Sequence, residues 1–517
     1  MFLLWRSAMK ITRLLIKGYK LLRDVTFEVN SDINIFVGEN DSGKSTILEA
    51  ISILSSGKLH GYAFDKQVKA NMFNDILRKE YKNSLRSGKT VKEPPNIIFE
   101  AYCDSDDVIY SGTNNELGKD CPGIRVEVEF DATIYEDTYK KLLQNGEIYD
   151  IPVEFYKVSY KYFNGNLVFY RYCPIKAAFI DTTRKDYSYV VDRFVSENIT
   201  TYLSPEEQTN LSSAYRKSRN EFHINEVVQR LNDSVKENVH IANKTLAIDL
   251  KEEDIDNWKR QMSVVVDMIP FENIGFGSQN TIKVELALKN SEDQVNLVLM
   301  EEPENNLSFA NMAQLVQHVR NTTGKQVFIS THSSYVANKL DLGNIFLVYN
   351  GKVTSFLQLY ENTKQYFIKL PGYDTLRFVL AEKVILVEGP TDEMILERCY
   401  LDDHGHLPLA DGIDIIVVDS LAFKRYCDIA VLLSKKTVIV TDNDGDIQKN
   451  IQEKYADYLD KDYLVFIYEH DKTLNTIEPS VLKVNCIDAK PTEAFKKAIS
   501  KNNSMMDKSI GEIMSFM

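Results

Sequence analysis

Residues 38–45 (GENDSGKS) have the spacing G-x-x-x-x-G-K-S, which is built to hold the phosphates of ATP. An apolar run precedes this loop at residues 33–37, and residues 46–54 behind it have the apolar spacing of a helix. Glycines in such a loop let backbone N–H groups surround a phosphate, and the start of the helix adds its positive end. Lys44 would reach the β- and γ-phosphates, and Ser45 would ligate Mg²⁺. The residues expected to contact the nucleotide are Gly38, Asn40, Gly43, Lys44, Ser45 and Thr46.

An ATPase also needs a second buried strand that ends in acidic residues. The apolar residues 295–300 (VNLVLM) lead into Glu301 and Glu302. Glu301 would hold the water shell of Mg²⁺, and Glu302 would polarise the attacking water. Another apolar run, residues 327–329, lies ahead of His332. That histidine could sense the γ-phosphate, and a structural role is the alternative for a single histidine.

A second acidic set follows two further apolar runs. Residues 384–387 (VILV) precede Glu388, and residues 438–441 (VIVT) precede Asp442 and Asp444. Because parallel strands end at the same edge of a sheet, these three carboxylates should lie together there. Asp392 would lie on the first turn of the following helix and face the same cluster. Hard oxygen ligands at this density suit Mg²⁺ or Mn²⁺ beside a phosphate, for which nucleic acid is the expected source.

Two other interpretations of acidic or histidine-rich stretches remain open. Asp442, Asp444, Asp446 and Glu453 match an EF-hand, but Ile447 stands where that loop needs glycine, and a buried strand precedes it. An acidic surface turn is the other alternative for the same residues. Residues 404–406 (HGH) are either a metal-binding pair or a surface turn.

The net charge of −14 argues against a nucleic-acid partner, because neutralising phosphates needs Lys and Arg. Metal-binding carboxylates weaken that objection, since they count as negative only until the metal is bound. Basic residues at 78–92 and 216–219 are either contact strips for DNA or solvated faces. Six cysteines without a CxxC pair disfavour zinc and disulfide scaffolds and fit a reducing, cytoplasmic compartment. The apolar start of the chain is too short for a signal sequence or a membrane span.

At 517 residues the chain allows two to four domains. Residues 10–30, 97–103 and 123–130 are predicted to be strands, and residues 156–172 a hairpin turning at Asn164-Gly165. Charged residues 186–262 favour a helical insertion, and Pro371-Gly372 marks a domain boundary. The fold class is therefore α/β. We expect a P-loop ATPase in residues 1–185 and 263–370, a helical insertion and candidate dimerisation arm in 186–262, and a second α/β domain in 371–517.

The ATPase residues together resemble the ATP-binding-cassette (ABC) family, in its RecF/SMC-like branch. In that family a signature loop acts on the ATP of a partner subunit, which implies a dimer. Residues 275–279 (GFGSQ) resemble a degenerate form of that loop, so the resemblance assigns Ser278 and Gln279 to nucleotide binding. The sequence departs from the family in having Glu301 where most members have Asp.

The pattern E-G followed by D-x-D resembles the Toprim domain of topoisomerases, primases and OLD-family nucleases. An ABC-type ATPase followed by Toprim is the architecture of the OLD family, which includes Gabija- and retron-associated defence nucleases. That resemblance implies that Glu478 is a further metal ligand. It also implies a lysine near the C-terminus that steadies the scissile phosphate, for which Lys508 is the candidate and Lys501 the next.

The sequence therefore predicts an ATP-dependent or ATP-regulated DNA endonuclease that uses Mg²⁺ or Mn²⁺. The catalytic residues would be Glu388, Asp442, Asp444, Lys508 and, for ATP, Glu302. The resemblance further implies a homodimer or larger homo-oligomer, a role in anti-phage defence, and partners such as a defence-system protein or retron components. One alternative is a DNA-repair ATPase whose Toprim domain does not cut. Another is a nucleotide-binding sensor without turnover.

Overall fold

A computed structural model describes residues 9–87, 91–105, 107–182, 203–238, 246, 248, 264–289, 295–359, 361–363, 373–418, 422–477, 479–480 and 483. The strands are, in chain order, β1 Lys10–Tyr19, β2 Leu22–Glu28, β3 Ile33–Gly38, β4 Lys58–Leu59, β5 Tyr62–Ala63, β6 Ile97–Asp104, β7 Ser111–Gly112, β8 Cys121–Phe130, β9 Tyr156–Tyr162, β10 Ala177–Asp181, β11 Val265–Val266, β12 Ile269–Pro270, β13 Leu297–Glu301, β14 Gln326–Thr331, β15 Ile345–Tyr349, β16 Lys352–Ser355, β17 Lys383–Val387, β18 Ile413–Val417, β19 Thr437–Val440 and β20 Leu464–Ile467.

The α-helices are α1 Lys44–Ser56, α2 Asp75–Ser87, α3 Ala132–Gln144, α4 Pro205–His223, α5 Glu226–Asn238, α6 Phe276–Lys289, α7 Phe309–Asn321, α8 Ser334–Lys339, α9 Tyr373–Leu380, α10 Pro390–His404 and α11 Phe423–Leu433. Short 3-10 turns connect several of these elements, and a π-helix covers Gln448–Glu453. Helices thus alternate with strands along much of the described chain, as the α/β prediction requires.

The chain divides into two compact units, the first of which comprises Met1–Lys10, Ile51–Gln67 and Leu167–Ile329. Within it, β10 pairs in parallel with β13, so that Asp181 lies opposite Glu301, and β14 lies beside β13. β13 is buried along its whole length. A parallel strand covered on both faces needs an unbroken apolar sequence, which explains the run that leads into Glu301.

The second unit comprises Ile11–Ala50, Val68–Asn166 and Ser330–Met517. It contains a sheet in the order β2-β1-β6-β8-β7, and β9 also pairs with β8. The pairs β1–β2, β6–β8, β7–β8 and β8–β9 are antiparallel. In the same unit, β3 pairs in parallel with β15, which pairs antiparallel with β16. β3 is buried from Asn34 to Gly38 and leads directly into the phosphate loop.

A further sheet of the second unit has the order β18-β17-β19-β20, and all its strands run parallel. β17 is central, with Val384 opposite Thr437 and Leu386 opposite Ile439. Helix α10 follows β17 and α11 follows β18, as in βαβ units. Because β17 and β19 are parallel neighbours, the acidic residues that follow each strand in the chain lie at the same edge of the sheet.

Most of the predicted strands are confirmed, but the hairpin predicted for residues 156–172 is wrong in its second arm. β9 forms, and the turn behind it is closed by a hydrogen bond from Gly165 N to Tyr162 O (2.8 Å). The residues beyond the turn form a 3-10 turn at Tyr170–Tyr172 and no strand. β9 pairs instead with β8, from Tyr156 opposite Phe130 to Tyr162 opposite Ile124. A strand formed earlier in the chain thus supplies the partner that the local turn signal assigned to residues 166–172.

The helical insertion agrees with α4 and α5, the two helices described within residues 186–262. α4 begins with a capping box, in which the Ser204 hydroxyl accepts from Glu207 N and the Glu207 carboxylate accepts from Ser204 N. The boundary at Pro371-Gly372 lies outside the described residues, so the predicted domain boundaries stay predictions. In the part of the chain that the structure describes, no helix is long and apolar enough to cross a membrane.

Candidate active site

Two glycines shape the phosphate loop between β3 and α1. A Cβ atom on Gly38 would lie 2.1 Å from the carbonyl oxygen of Val348, so no larger residue fits there. Gly43 has a φ of +111°, in the region that favours glycine. Asp41, with φ +57°, adds a second left-handed residue to the loop. The backbone of this loop is therefore curved tightly at the start of α1, as phosphate binding requires.

Lys44 is 4% exposed, and its ammonium donates hydrogen bonds to the carbonyl oxygens of Gly38 (3.0 Å) and Glu39 (2.7 Å). Thr46 is also buried, whereas Asn40 and Ser45 are exposed. Among the described residues, the buried hydroxyl of Ser42 has no hydrogen-bond partner. A buried donor without a partner is costly, and a phosphate oxygen beside Lys44 would satisfy it. The residues of the loop therefore fit a nucleotide phosphate.

Glu301 and Glu302 lie in the first unit, at the end of β13. The Thr182 hydroxyl donates to the carbonyl oxygens of Glu301 (2.9 Å) and Glu302 (2.6 Å). Glu302 adopts φ +44°, which is uncommon for a residue with a side chain. Its carboxylate accepts a hydrogen bond from Asn305 Nδ2 at 3.0 Å. The turn behind β13 thus fixes the direction of the Glu302 carboxylate, and its role as the base stays a prediction.

The predicted signature loop forms the start of α6. Ser278 is exposed, while Gln279 is buried and its amide donates to the Ile274 carbonyl oxygen (3.1 Å). Gly277 approaches the backbone of Asn306 so closely that a Cβ atom would lie 2.4 Å from its carbonyl oxygen. Ser278 is therefore the better placed of the two residues to meet a nucleotide, and Gln279 holds the loop.

His332 follows β14 in the second unit and is half-buried. It lines a cavity of about 370 Å³ whose other walls come from the end of α9, the segment before β17 and the start of β18. In that cavity Arg377 donates two hydrogen bonds to the carboxylate of Asp414, at 2.9 and 2.6 Å. The role of His332 as a phosphate sensor stays a prediction.

Glu388 and Asp442, which are far apart in the sequence, meet at the edge of the parallel sheet. Glu388 follows β17, and its Oε1 atom accepts a 2.5 Å hydrogen bond from the Thr441 hydroxyl. The same oxygen accepts a 3.1 Å hydrogen bond from the backbone N of Asp442. The parallel pairing of β17 with β19 makes this contact, because Leu386 lies opposite Ile439. The structure therefore brings Glu388 to the start of the D-x-D turn.

Asn443 anchors the turn that carries the two aspartates. It is fully buried, and its amide donates to the carbonyl oxygens of Glu469 (2.8 Å) and Asp471 (3.1 Å). Asp442 is half-buried, and Asp444 is exposed with φ +46°. Fixing the central residue from inside leaves the flanking carboxylates on the outer side of the turn.

Tyr455 lies beneath this edge and is fully buried. Burial is the main cause that raises the pKa of Tyr455, and the negative charges of Glu388 and Asp444 raise it further. Its hydroxyl therefore stays neutral next to the carboxylates. No sequence pattern points to Tyr455, whereas Thr441 and Asn443 could have been found as polar residues at the end of an apolar strand.

Asp392 lies in the first turn of α10, as predicted, but its Oδ2 atom accepts a hydrogen bond from Gly389 N (2.9 Å). That contact gives it a structural role at the start of the helix, and metal binding by Asp392 stays a prediction. The HGH stretch is a surface turn: Gly405 ends α10 with φ +78°, and the exposed His404 ring stacks on Tyr400 at 4.0 Å. Glu478, Lys501 and Lys508 lie outside the described residues.

The acidic edge of this sheet offers oxygen ligands to a divalent cation. In the described part of the chain, no group of three or more His, Cys, Asp or Glu side chains comes close enough to hold a metal. The donors present, Glu388, Asp442 and Asp444, are all carboxylates, which is the chemistry that Mg²⁺ and Mn²⁺ require. Mg²⁺ commonly binds through only one or two carboxylates and retains several waters. The residues thus suit such an ion in their chemistry, while the described side chains do not form a three-ligand group.

The first basic strip is partly paired with acidic neighbours. Arg78 donates to Asp150 (2.9 Å from Nε to Oδ1), and Lys92 pairs with Glu80 at 2.8 Å. The strip at residues 216–219 lies on α4, where Arg216 and Lys217 are exposed. Both strips therefore retain exposed cations that a nucleic acid could meet, Lys79 and Arg86 on the first and Arg216 and Lys217 on the second.

Comparison with known proteins gives the family. The AAA ATPase domain (AAA_15) matches residues 9–218 and 127–337, which together span more than half of the chain. The TOPRIM domain of proteins like the overcoming lysogenization defect (OLD) protein matches residues 379–444, where Glu388, Asp442 and Asp444 lie. The protein is therefore a P-loop ATPase followed by a Toprim domain. It belongs to the OLD family of ATPase–Toprim proteins.

Individual relatives are similar over short stretches. Endonuclease GajA of Bacillus cereus is 29% identical over 163 residues, which are 31% of this chain and 28% of the relative. The DNA replication and repair protein RecF of Staphylococcus haemolyticus is 38% identical over 60 residues, 12% of this chain and 16% of the relative. The chain thus spans less than a third of the length of these curated relatives.

Two solved structures also align. One is the recombination mediator protein RecF with a bound ATP analogue, with a TM-score of 0.34 and 13% identity, over 68% of this chain and 99% of the other. The other is the SMC head domain from Thermotoga maritima, with a TM-score of 0.32 and 14% identity, over 67% of this chain and 98% of the other.

Proposed function

We propose that this protein is an ATP-regulated, divalent-metal-dependent DNA endonuclease. The observation that carries the proposal is the meeting of Glu388 with the Thr441–Asp442 turn at the carboxyl edge of the parallel sheet. Ligands of open α/β sheets bind at that edge. The similarity to endonuclease GajA covers less than a third of either chain, and it supports the same class of reaction.

The acidic residues at this edge would hold the metal. Glu388, Asp442 and Asp444 are the proposed ligands among the described residues, with Asp392 and Glu478 as further candidates. A bound divalent ion supplies a water of lowered pKa and stabilises charge on the phosphate oxygens. Thr441 fixes the direction of Glu388, and Asn443 fixes the backbone between the two aspartates. Lys508, or else Lys501, is proposed to steady the scissile phosphate.

The ATPase residues would regulate access of DNA to this site. Lys44, Ser45 and Thr46 are proposed to bind the nucleotide with Mg²⁺, and Glu302 is proposed to activate water for its hydrolysis. Ser278 of a second copy would complete the ATP site, so we infer a homodimer or larger homo-oligomer. If ATP changes the affinity for DNA, DNA must change the affinity for ATP by the same factor. Anti-phage defence, with a further defence protein or retron components as partners, is the biological role we infer.

The direct test is incubation of supercoiled plasmid with the full chain and Mg²⁺ or Mn²⁺, with and without ATP. Conversion to nicked or linear plasmid that stops on addition of EDTA is the expected result. No cutting in either metal, with or without ATP, would overturn the nuclease proposal. Affinity for plasmid in Ca²⁺, measured with and without a non-hydrolysable ATP analogue, then tests the regulation.

A second candidate function is a DNA-repair ATPase or nucleotide-binding sensor that does not cut. It is favoured by the lack of an assembled three-carboxylate group in the described residues. The unusual Glu301 and the inward-turned Gln279 also favour it for the ATPase half. ATP-dependent DNA binding without cleavage in Mg²⁺ and Mn²⁺ would select this function over the first.

A further inference from the structure

Lys435 lies two residues before β19 and its side chain is fully buried. Its ammonium donates a 3.0 Å hydrogen bond to Glu39 Oε1 and further hydrogen bonds to the carbonyl oxygens of Val379 (3.2 Å) and Ala381. The ring of Tyr349 lies 4.9 Å from the ammonium. A buried ammonium is tolerated only when it is paired and hydrogen-bonded, and these four partners meet that requirement.

The partner carboxylate belongs to the phosphate loop. Glu39 follows Gly38 in the loop, and its carbonyl oxygen accepts a 2.7 Å hydrogen bond from the Lys44 ammonium. A nucleotide phosphate competes with the carbonyl oxygens of Gly38 and Glu39 for that ammonium. Binding of a nucleotide therefore changes the contacts of Glu39 on its backbone side while Lys435 holds its side chain.

Lys435 also lies near the beginnings of both strands that carry the acidic site, β17 and β19. Ala381 lies two residues before β17, which ends next to Glu388. Lys435 itself lies two residues before β19, which ends two residues before Asp442. β17 and β19 are hydrogen-bonded neighbours, so a displacement at their beginnings would be passed along both strands towards the edge where the acids lie.

The segment held by Lys435 borders a cavity. Leu380, Ala381 and Glu382 line the cavity of about 370 Å³, as does His332 of the ATPase half. Lys435, which holds Glu39, and the candidate phosphate sensor His332 thus both lie beside Ala381.

We propose that Lys435 is a positioning residue that couples nucleotide binding at the phosphate loop to the geometry of Glu388 and Asp442. The proposal rests on the proposed function as a nucleotide-regulated nuclease and names the contact that performs the regulation. The competing explanation is a buried ion pair that only stabilises the fold. Such a pair would affect the melting temperature but not the response to nucleotide.

The test is hydrogen–deuterium exchange on the full chain, with and without a non-hydrolysable ATP analogue and Mg²⁺. In the natural protein, we expect the analogue to protect residues 38–46 and to alter exchange in residues 381–388 and 435–444. Glu39→Ala should keep the protection of the loop, because its backbone N–H groups remain, and should reduce the distant change at least threefold. Glu39→Gln, whose amide oxygen can still accept from Lys435, should restore most of it.

Glu116→Ala is the matched control. Glu116 also pairs with a lysine at 3.0 Å, and its side chain is similarly exposed (29%, against 22% for Glu39). It should leave the distant change as in the natural protein. Substituting Lys435 itself is avoided, because it would leave the carbonyl oxygens of Val379 and Ala381 without their donor.

DNA affinity and plasmid cleavage together separate this inference from the proposed function. Coupling between two sites typically alters a binding constant about 5- to 150-fold. In Glu39→Ala, we expect the DNA affinities with and without nucleotide to be nearly equal. An unchanged distant response in Glu39→Ala, or no distant response in the natural protein, would overturn the inference. Absence of cutting would instead overturn the nuclease proposal, because the exchange experiment does not depend on cutting.

Discussion

The hydroxyl of Thr441 donates a 2.5 Å hydrogen bond to the carboxylate of Glu388, across the two central strands of the parallel sheet. A residue that orients a metal ligand typically changes activity about 10- to 100-fold when it is lost. We therefore expect Thr441→Val to cut plasmid about 10- to 100-fold more slowly in Mn²⁺, with Glu388 free to turn. Thr441→Ser keeps the hydroxyl and should cut near the natural rate. Equal rates for Thr441→Val and the natural protein would remove this role.

Asp444→Ala should abolish divalent-dependent cleavage while the protein remains folded, because Asp444 is exposed at a turn and not part of a core. Asp446→Ala is the control, since Asp446 is an exposed acid two residues away whose carboxylate accepts a hydrogen bond from Lys449 N. The measurement is the initial rate of plasmid nicking, with a thermal melt to confirm folding. Undiminished cutting by Asp444→Ala would show that the metal site is elsewhere.

Lys44→Ala should bind ATP at least about tenfold more weakly, a loss of at least ~1.4 kcal/mol. The reason is that Lys44 is the cation of the loop whose ammonium is placed to meet the phosphates. Lys58→Ala, at an exposed lysine just beyond α1, is the control and should bind normally. Equilibrium binding of a fluorescent ATP analogue measures the difference. An unchanged dissociation constant for Lys44→Ala would contradict phosphate binding by this loop.

Glu302→Gln should bind ATP normally and hydrolyse it at least about 100-fold more slowly. An amide oxygen can still accept the hydrogen bond from Asn305, so the turn keeps its geometry while the base is lost. Steady-state phosphate release, compared with the binding constant, separates the two effects. If the variant releases phosphate at the natural rate, another group polarises the water.

The Arg78 guanidinium, by its hydrogen bond, lowers the pKa of Asp150 to about 2 from the usual 3.8. Because the folded pKa lies below the unfolded one, the ion pair stabilises the protein above about pH 4, and this contribution disappears as the pH falls through about 2. Both side chains are almost a third exposed, so screening limits the contribution to about 1 kcal/mol. Asp150→Asn should lower the free energy of unfolding by that amount near neutral pH, and the difference should shrink below about pH 4. Asp137→Asn, at an exposed acid on α3, should show no such trend.

The local sequence determined the parts of this protein that rest on short-range patterns. The phosphate loop is readable because glycines, lysine and a helix start must follow one another within eight residues. Glu301, Glu388 and Asp442 could be predicted as site residues. Each follows an apolar run, and an apolar run that ends in an acidic residue is typical of a buried strand whose end reaches solvent. For the same reason β3, α1, β17 and β19 lie where the sequence placed them.

Only the tertiary structure decided which of these parts meet. The pairing of β17 with β19 brings Glu388 to Thr441, 53 residues away. β9 pairs with β8 and not with the residues after its own turn, which the sequence predicted as its hairpin partner. No sequence pattern distinguishes Lys435 from an exposed lysine, yet it is buried and pairs with Glu39, 396 residues earlier. Such contacts depend on the folding of the whole chain, because neither partner's neighbours carry a pattern that specifies the other.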